Sequence, residues 1–169
     1  MRRLIILFAF LLFSNINSHA QTSPCGQLEI FTKLDFWVGE WNVLNPDGTE
    51  AGHNKVTKVL DGCTILEEWT GAGVSRGKSL NFYNPQKKVW QQVWIDNFSN
   101  PLYFDGETNP DTMIYRGTSI TGNGTKVINE MTLSKVNEDQ VRQLWRQSYD
   151  EGKTWNIAFD GQYHRIKSE

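Results

Sequence analysis

The chain has 169 residues, of which 38% are hydrophobic, with 17 Lys and Arg against 19 Asp and Glu and a formal net charge of −2. This length suits one domain with a single core, and a sequence without a basic run or stripe lacks the electrostatic footprint of a nucleic-acid partner. Seven tryptophans and two cysteines are the compositional features that call for an explanation.

Met1-Arg2-Arg3 leads into an apolar run from Leu4 to Phe13, and Ser18-His19-Ala20 closes the segment. A positive start, a short apolar stretch and a small-x-small site predict a signal peptide over residues 1–20, followed by a single domain over 21–169. The run is too short to span a bilayer, and no later stretch is longer or more apolar. The expectation is an exported protein, periplasmic or extracellular, with no membrane partner after cleavage. A lipid anchor on Cys25 is the competing reading, but Gln21-Thr22-Ser23-Pro24 does not make a lipobox. Cleavage leaves 149 of the 169 residues and, because Arg2 and Arg3 go with the leader, 15 basic against 19 acidic side chains, net −4.

Cys25 and Cys63 both survive cleavage. In an oxidising compartment an even count favours a disulfide, which would tie the N-terminus to the first strands and contribute roughly 3–4 kcal/mol in the loop-entropy account. The alternative is a pair of buried thiols. A zinc site built from these cysteines with His53 and His164 matches no standard spacing, so neither a metal nor any other cofactor is expected.

Gly26 to Lys33 reads as a lead-in with one helical turn. Strand signals then alternate with turn residues at the short spacing of an all-β domain. They cover Phe36–Leu44, Asn54–Leu60, Cys63–Thr70, Lys78–Tyr83 and Val89–Asp96, separated by turns such as Asn45-Pro46-Asp47-Gly48 and Gly71-Ala72-Gly73. The second half continues with Leu102–Phe104, a loop over Gly106 to Asp111, then Thr112–Thr118, Lys126–Val136, Gln140–Tyr149 and Trp155–Arg165. Roughly ten short strands with short connections pair antiparallel. An up-and-down barrel fits best because closure removes exposed edges; a two-sheet sandwich is the alternative. Ser148-Tyr149-Asp150-Glu151-Gly152-Lys153-Thr154-Trp155 matches the Asp-box pattern. Occurring once, it predicts a structural hairpin turn rather than a propeller blade.

Val89 to Asp96 shows the period of two most plainly, with Val89, Gln91, Val93 and Ile95 on one face and Trp90, Gln92, Trp94 and Asp96 on the other. The same division places Trp37 with Trp41, Glu67 with Trp69, and Gln143 with Trp145. Indoles beside a few hydrogen-bonding groups are the usual lining of a small-molecule site, so Trp41, Glu67, Trp69, Gln92, Trp94, Asp96, Gln143 and Trp145 are the candidate ligand-binding residues. The competing reading is a solid core whose polar groups satisfy the indole N–H donors. An enzyme alternative would use Glu67 or Glu68 with Asp96 as an acid/base pair in a dry cavity, but no nucleophile elbow, zinc-binding helix or phosphate loop accompanies them. In a simpler reading, one of Glu67 and Glu68 faces in toward Arg142 or Arg146 and the other faces water.

Several segments carry a family likeness: Leu34-Asp35-Phe36-Trp37-Val38-Gly39-Glu40-Trp41-Asn42-Val43, Leu60-Asp61-Gly62-Cys63-Thr64-Ile65-Leu66-Glu67-Glu68-Trp69, Gly77-Lys78-Ser79-Leu80-Asn81-Phe82-Tyr83 with Trp90-Gln91-Gln92-Val93-Trp94-Ile95-Asp96, and Val141-Arg142-Gln143-Leu144-Trp145 with Phe159-Asp160-Gly161-Gln162-Tyr163. In the same order over nearly all of the mature chain, they resemble an uncharacterised family of secreted bacterial proteins with a lipocalin-like, or calycin-like, β-barrel. The resemblance implies a barrel that holds a small apolar ligand and implies no reaction. The haem-binding nitrobindin barrels share a Gly-x-Trp strand and a late histidine, a place His164 could take, but Val38-Gly39-Glu40-Trp41 lacks their denser glycine pattern. The functional expectation is a secreted binding protein for a small apolar or aromatic molecule.

Overall fold

The computed structural model describes Cys25 and residues 28–167; the predicted signal segment, residues 1–20, lies outside the described residues. Ten strands follow in order: β1 (Gly39–Leu44), β2 (Glu50–Val59), β3 (Thr64–Gly71), β4 (Arg76–Asn84), β5 (Val89–Asp96), β6 (Pro101–Asn109), β7 (Thr112–Ile120), β8 (Lys126–Asn137), β9 (Gln140–Ser148) and β10 (Asn156–Arg165). Each pairs antiparallel with the next, and β10 returns to β1 through Trp41 opposite Arg165 and Val43 opposite Tyr163. The result is a closed up-and-down barrel of calycin-like character and not a two-sheet sandwich. Closure leaves no strand edge unpaired.

The period of two in the sequence becomes the division between inside and outside. Trp41 and Val43 of β1, Asn54 and Val56 of β2, Ile65 and Glu67 of β3, Ser79 and Asn81 of β4, and Trp90 and Gln92 of β5 are all buried, while the residues between them face out or toward the surface. The indole-and-amide face is therefore the interior one.

Two expectations about the elements need correction. The first strand does not begin at Phe36: Asp35–Trp37 forms a one-turn 3₁₀ segment, preceded by another at Glu29–Thr32. This lead-in crosses one end of the barrel and plugs it, with Leu34 and Trp37 wholly buried. Arg165 fastens it from β10, its guanidinium 4.1 Å from the Trp41 ring while Nη1 donates to the Val38 carbonyl at 2.8 Å. The disulfide Cys25–Cys63, with Cα atoms 4.9 Å apart, fixes the lead-in to the β2–β3 turn.

The second correction concerns Gly106, expected in a loop but placed inside β6, where a Cβ would meet the Tyr115 ring at 2.6 Å. A glycine in a strand interior marks such a close approach as readily as it marks a turn. The reversal comes instead at Pro110-Asp111, with Asp111 at φ +59°.

The Asp-box behaves as the expected hairpin turn. The Asp150 carboxylate accepts from the Thr154 N–H and hydroxyl at 2.8 and 2.7 Å, and the Trp155 indole N–H donates to the Gly152 carbonyl. These bonds hold the Asp150 carboxyl down at about 2, chiefly through Thr154.

At the plugged end the interior is solid. Trp37, Trp41, Trp90, Met113, Tyr115, Leu133, Val141 and Tyr163 are essentially inaccessible there. The other end, where the β1–β2, β3–β4, β5–β6, β7–β8 and β9–β10 connections lie, has no such plug among the described residues.

Candidate functional site

The open half of the barrel contains a cavity of about 500 Å³. Three strands running toward the mouth build it with one short pattern, a polar residue followed two positions later by tryptophan: Glu67-x-Trp69 on β3, Gln92-x-Trp94 on β5 and Gln143-x-Trp145 on β9. Two residues of strand rise by about 6.6 Å, so the polar members form a floor and the indoles form a collar above it. Leu102, Phe104 and Phe159 complete the wall, Tyr163 joins the floor, and Glu50, Gly73 and Val74 stand at the mouth. Trp69 meets Phe159 edge to face with centroids 5.7 Å apart. Trp94 packs over Gly77, where a Cβ would come within 2.2 Å of the indole.

Glu67 organises the floor. It is 4% exposed, its Oε1 accepts from Asn54 Nδ2 at 2.9 Å, and its Oε2 accepts from Ser79 Oγ at 2.6 Å. Ser79 stands directly opposite Glu67 in the β3–β4 register. The network continues through Asn81 Nδ2 to Ser79 Oγ at 2.9 Å, Gln92 Nε2 to Asn81 Oδ1 at 3.0 Å, and the Tyr115 hydroxyl to the same oxygen at 3.0 Å. On the far side Asn54 Nδ2 reaches the Tyr163 hydroxyl at 3.4 Å, which donates to Gln143 Oε1 at 2.6 Å.

The donors to Glu67 are all neutral, which corrects the expectation of an arginine partner. Arg142 pairs with Asp160 at 2.7 Å and Arg146 with Glu130, both on the outer face. Burial without a counter-charge pushes the Glu67 carboxyl up, against the downward pull of Ser79 and Asn54. Burial, reinforced by the Glu67 charge, also pushes the Tyr115 and Tyr163 hydroxyls well above the usual phenol range.

An acid whose folded-state pKa is raised binds its proton more tightly in the native protein than in the unfolded chain. Its contribution to stability is complete below the unfolded-state pKa and is lost as pH rises through the folded-state one. Glu67→Gln keeps the shape and removes this loss. Urea denaturation from pH 4 to pH 8 is expected to show the variant gaining on the wild type as pH rises, at up to ~1.4 kcal/mol per pH unit within the window. A pH-independent difference between the two would contradict the burial of an uncompensated acid.

Six of the eight candidate binding residues, Glu67, Trp69, Gln92, Trp94, Gln143 and Trp145, converge on this cavity. The other two do not. Trp41 belongs to the solid half, its indole N–H donating to the Trp37 carbonyl at 2.9 Å. Asp96 turns away to cap the β5–β6 loop, accepting from the Phe98 and Asn100 N–H groups, each at 2.9 Å. Burial opposes its ionisation, but the bonds from Asn100 and Phe98 prevail and hold its carboxyl below the usual range. Glu68 faces outward and pairs with Lys78 at 2.6 Å. Glu68 and Asp96 border one depression on the outer face together with Lys78, while Glu67 lines the interior cavity without either of them, so the acid pair of the enzyme alternative is not assembled inside the barrel.

Asn54, Ser79, Asn81, Phe104, Phe159 and Tyr163 complete the site and were missed as candidates. The period of two applied to Gly77-x-Ser79-x-Asn81-x-Tyr83 finds the β4 members. His164 lies on the outer face next to inward Tyr163, its Nδ1 3.2 Å from Gln140 Nε2, so it does not fit as a haem ligand inside the barrel. Among the described residues no group of three or more His, Cys, Asp or Glu converges as a metal site.

No family model matches the sequence, and no curated protein matches it.

Proposed function

We propose that this chain is an exported binding protein that holds a small apolar or aromatic molecule in the open half of its barrel. The observation that carries this reading is the cavity itself. Its volume of about 500 Å³ falls within the ~300–1,000 Å³ of small-molecule sites, which likewise combine apolar walls with a few convergent polar groups. Export is supported by the Cys25–Cys63 disulfide, which belongs to an oxidising compartment, together with the signal-like first 20 residues. The barrel also supports the likeness to secreted bacterial calycin-like proteins. The acid/base alternative is weakened because Glu68 and Asp96 both engage partners away from Glu67.

Native mass spectrometry of protein recovered from the oxidising compartment tests the reading. The expected spectrum carries an added mass of a few hundred daltons at most that disappears on denaturation. A bare-chain mass that persists after incubation with an excess of small aromatic compounds would overturn it.

A further inference from the structure

The charge and hydrogen-bonding character of the cavity narrows the ligand. Among the described residues the charged side chains lining it are Glu50 and Glu67, and no Lys, Arg or His joins them. Glu50 at the mouth has its own neighbour in His53 at 3.6 Å, whereas Glu67 on the floor has only neutral donors. An ionised carboxylate offers about four lone-pair sites, and two hydrogen bonds leave half of them open. A second acceptor beside it is open: Asn54 Oδ1, on the amide that holds Glu67, is buried with no hydrogen-bond partner, whereas the unpartnered indole donors, Trp37 Nε1 and Trp90 Nε1, belong to the solid half. The collar above consists of Trp69, Trp94, Trp145 and Phe159, whose ring faces attract cations.

We infer, building on the binding reading above, that the ligand is an organic ammonium: a primary or secondary amine on an apolar or aromatic body, its N–H donors directed to Glu67 and its body held by the indole collar. An ammonium brings donors only, which the open lone pairs of Glu67 can accept, and supplies the counter-charge that no residue lining the cavity provides. An anionic ligand would meet Glu67 without a compensating cation, and a neutral one would leave the buried acid unpaired.

Proton linkage follows. The titratable neighbours of Glu67 are Tyr163 on β10 and Tyr115 on β7, both held neutral by burial, with Glu50 at the mouth; Asn54, Ser79, Gln92 and Gln143 do not titrate. An incoming ammonium draws the Glu67 carboxyl back down, so ammonium affinity falls as the solution becomes acidic enough to protonate Glu67.

Three matched probes test the inference by isothermal titration calorimetry at pH 7: 2-naphthylmethylammonium, 2-naphthalenemethanol and 2-naphthoate. The ammonium is expected to bind at least about tenfold more tightly than the alcohol, with the naphthoate weakest, and Glu67→Gln to erase the difference between the first two. Wild-type titrations at falling pH give an independent reading if that variant does not fold: ammonium binding weakens while alcohol binding holds. Equal binding of ammonium and alcohol, a preference that survives Glu67→Gln, or an ammonium affinity indifferent to pH would overturn the ammonium inference and leave the cavity reading standing. Binding by none of the three would overturn both.

Discussion

Trp41→Ala is expected to cost about 3–5 kcal/mol of stability, and Trp94→Ala only a small fraction of that. The two tryptophans lie on the same face of the sheet, but in different halves of the barrel. Trp41 is 0% exposed, packs against Tyr163 and Arg165, and bonds to the plug through the Trp37 carbonyl. Its removal opens a void that the surrounding strands, closed in a ring, cannot collapse to fill. Trp94 borders a cavity that already exists, so its removal enlarges an open space and strips little native packing. Urea denaturation monitored by far-ultraviolet circular dichroism separates the two variants. Ligand capture is expected to reverse the order, with Trp94→Ala folded and weak in binding. Equal destabilisation by both substitutions would mean that the open half is packed core as well.

Replacing Cys25 and Cys63 together with serine is the second large effect. The bridge spans 38 residues of sequence, and a loop of that length contributes about 4 kcal/mol by restricting the unfolded chain. It also anchors the lead-in that carries Leu34 and Trp37 into the barrel end, next to a β2–β3 turn in which Leu60 and Asp61 already hold positive φ. A drop of about 10 °C in the melting temperature is expected for a domain of this size, matched by the wild type under reductant. An unchanged melt in either case would contradict the bridge.

Much of this architecture was legible in the sequence because a closed meander makes every interior position a matter of parity. Once Trp90, Gln92 and Trp94 share a face, the same rule carries to Glu67-x-Trp69 and Gln143-x-Trp145, and turn residues set the strand order. Parity fails where strands end. Asp96 keeps the correct alternation, but a carboxylate at a strand terminus finds the free N–H groups of the next loop before it finds the interior. Trp37 sits among residues that read as strand, Phe36-Trp37-Val38, and only the need to cover the barrel end bends them into a 3₁₀ turn. The partners of Glu67 depend on register: Ser79 is set against it by the β3–β4 pairing and Asn54 reaches it from β2. The β9 arginines follow parity: Arg142 and Arg146 alternate with inward Gln143 and Trp145 and are taken up outside by Asp160 and Glu130. Seven tryptophans thus divide by place in the barrel, three in the solid half, three in the collar, and Trp155 beneath the Asp-box turn.

The central claim is that the open half of the barrel receives a small molecule, and a fluorescence titration with N-phenyl-1-naphthylamine on the wild type and on Leu102→Trp tests it most directly. Leu102 stands opposite Trp94 across the β5–β6 pair and lines the cavity, so an indole there narrows the space at the collar. The account expects a saturable, blue-shifted signal at one probe per wild-type chain and a weaker affinity in a folded Leu102→Trp variant. No saturable signal in the wild type, or an unchanged affinity in the narrowed barrel, would contradict it.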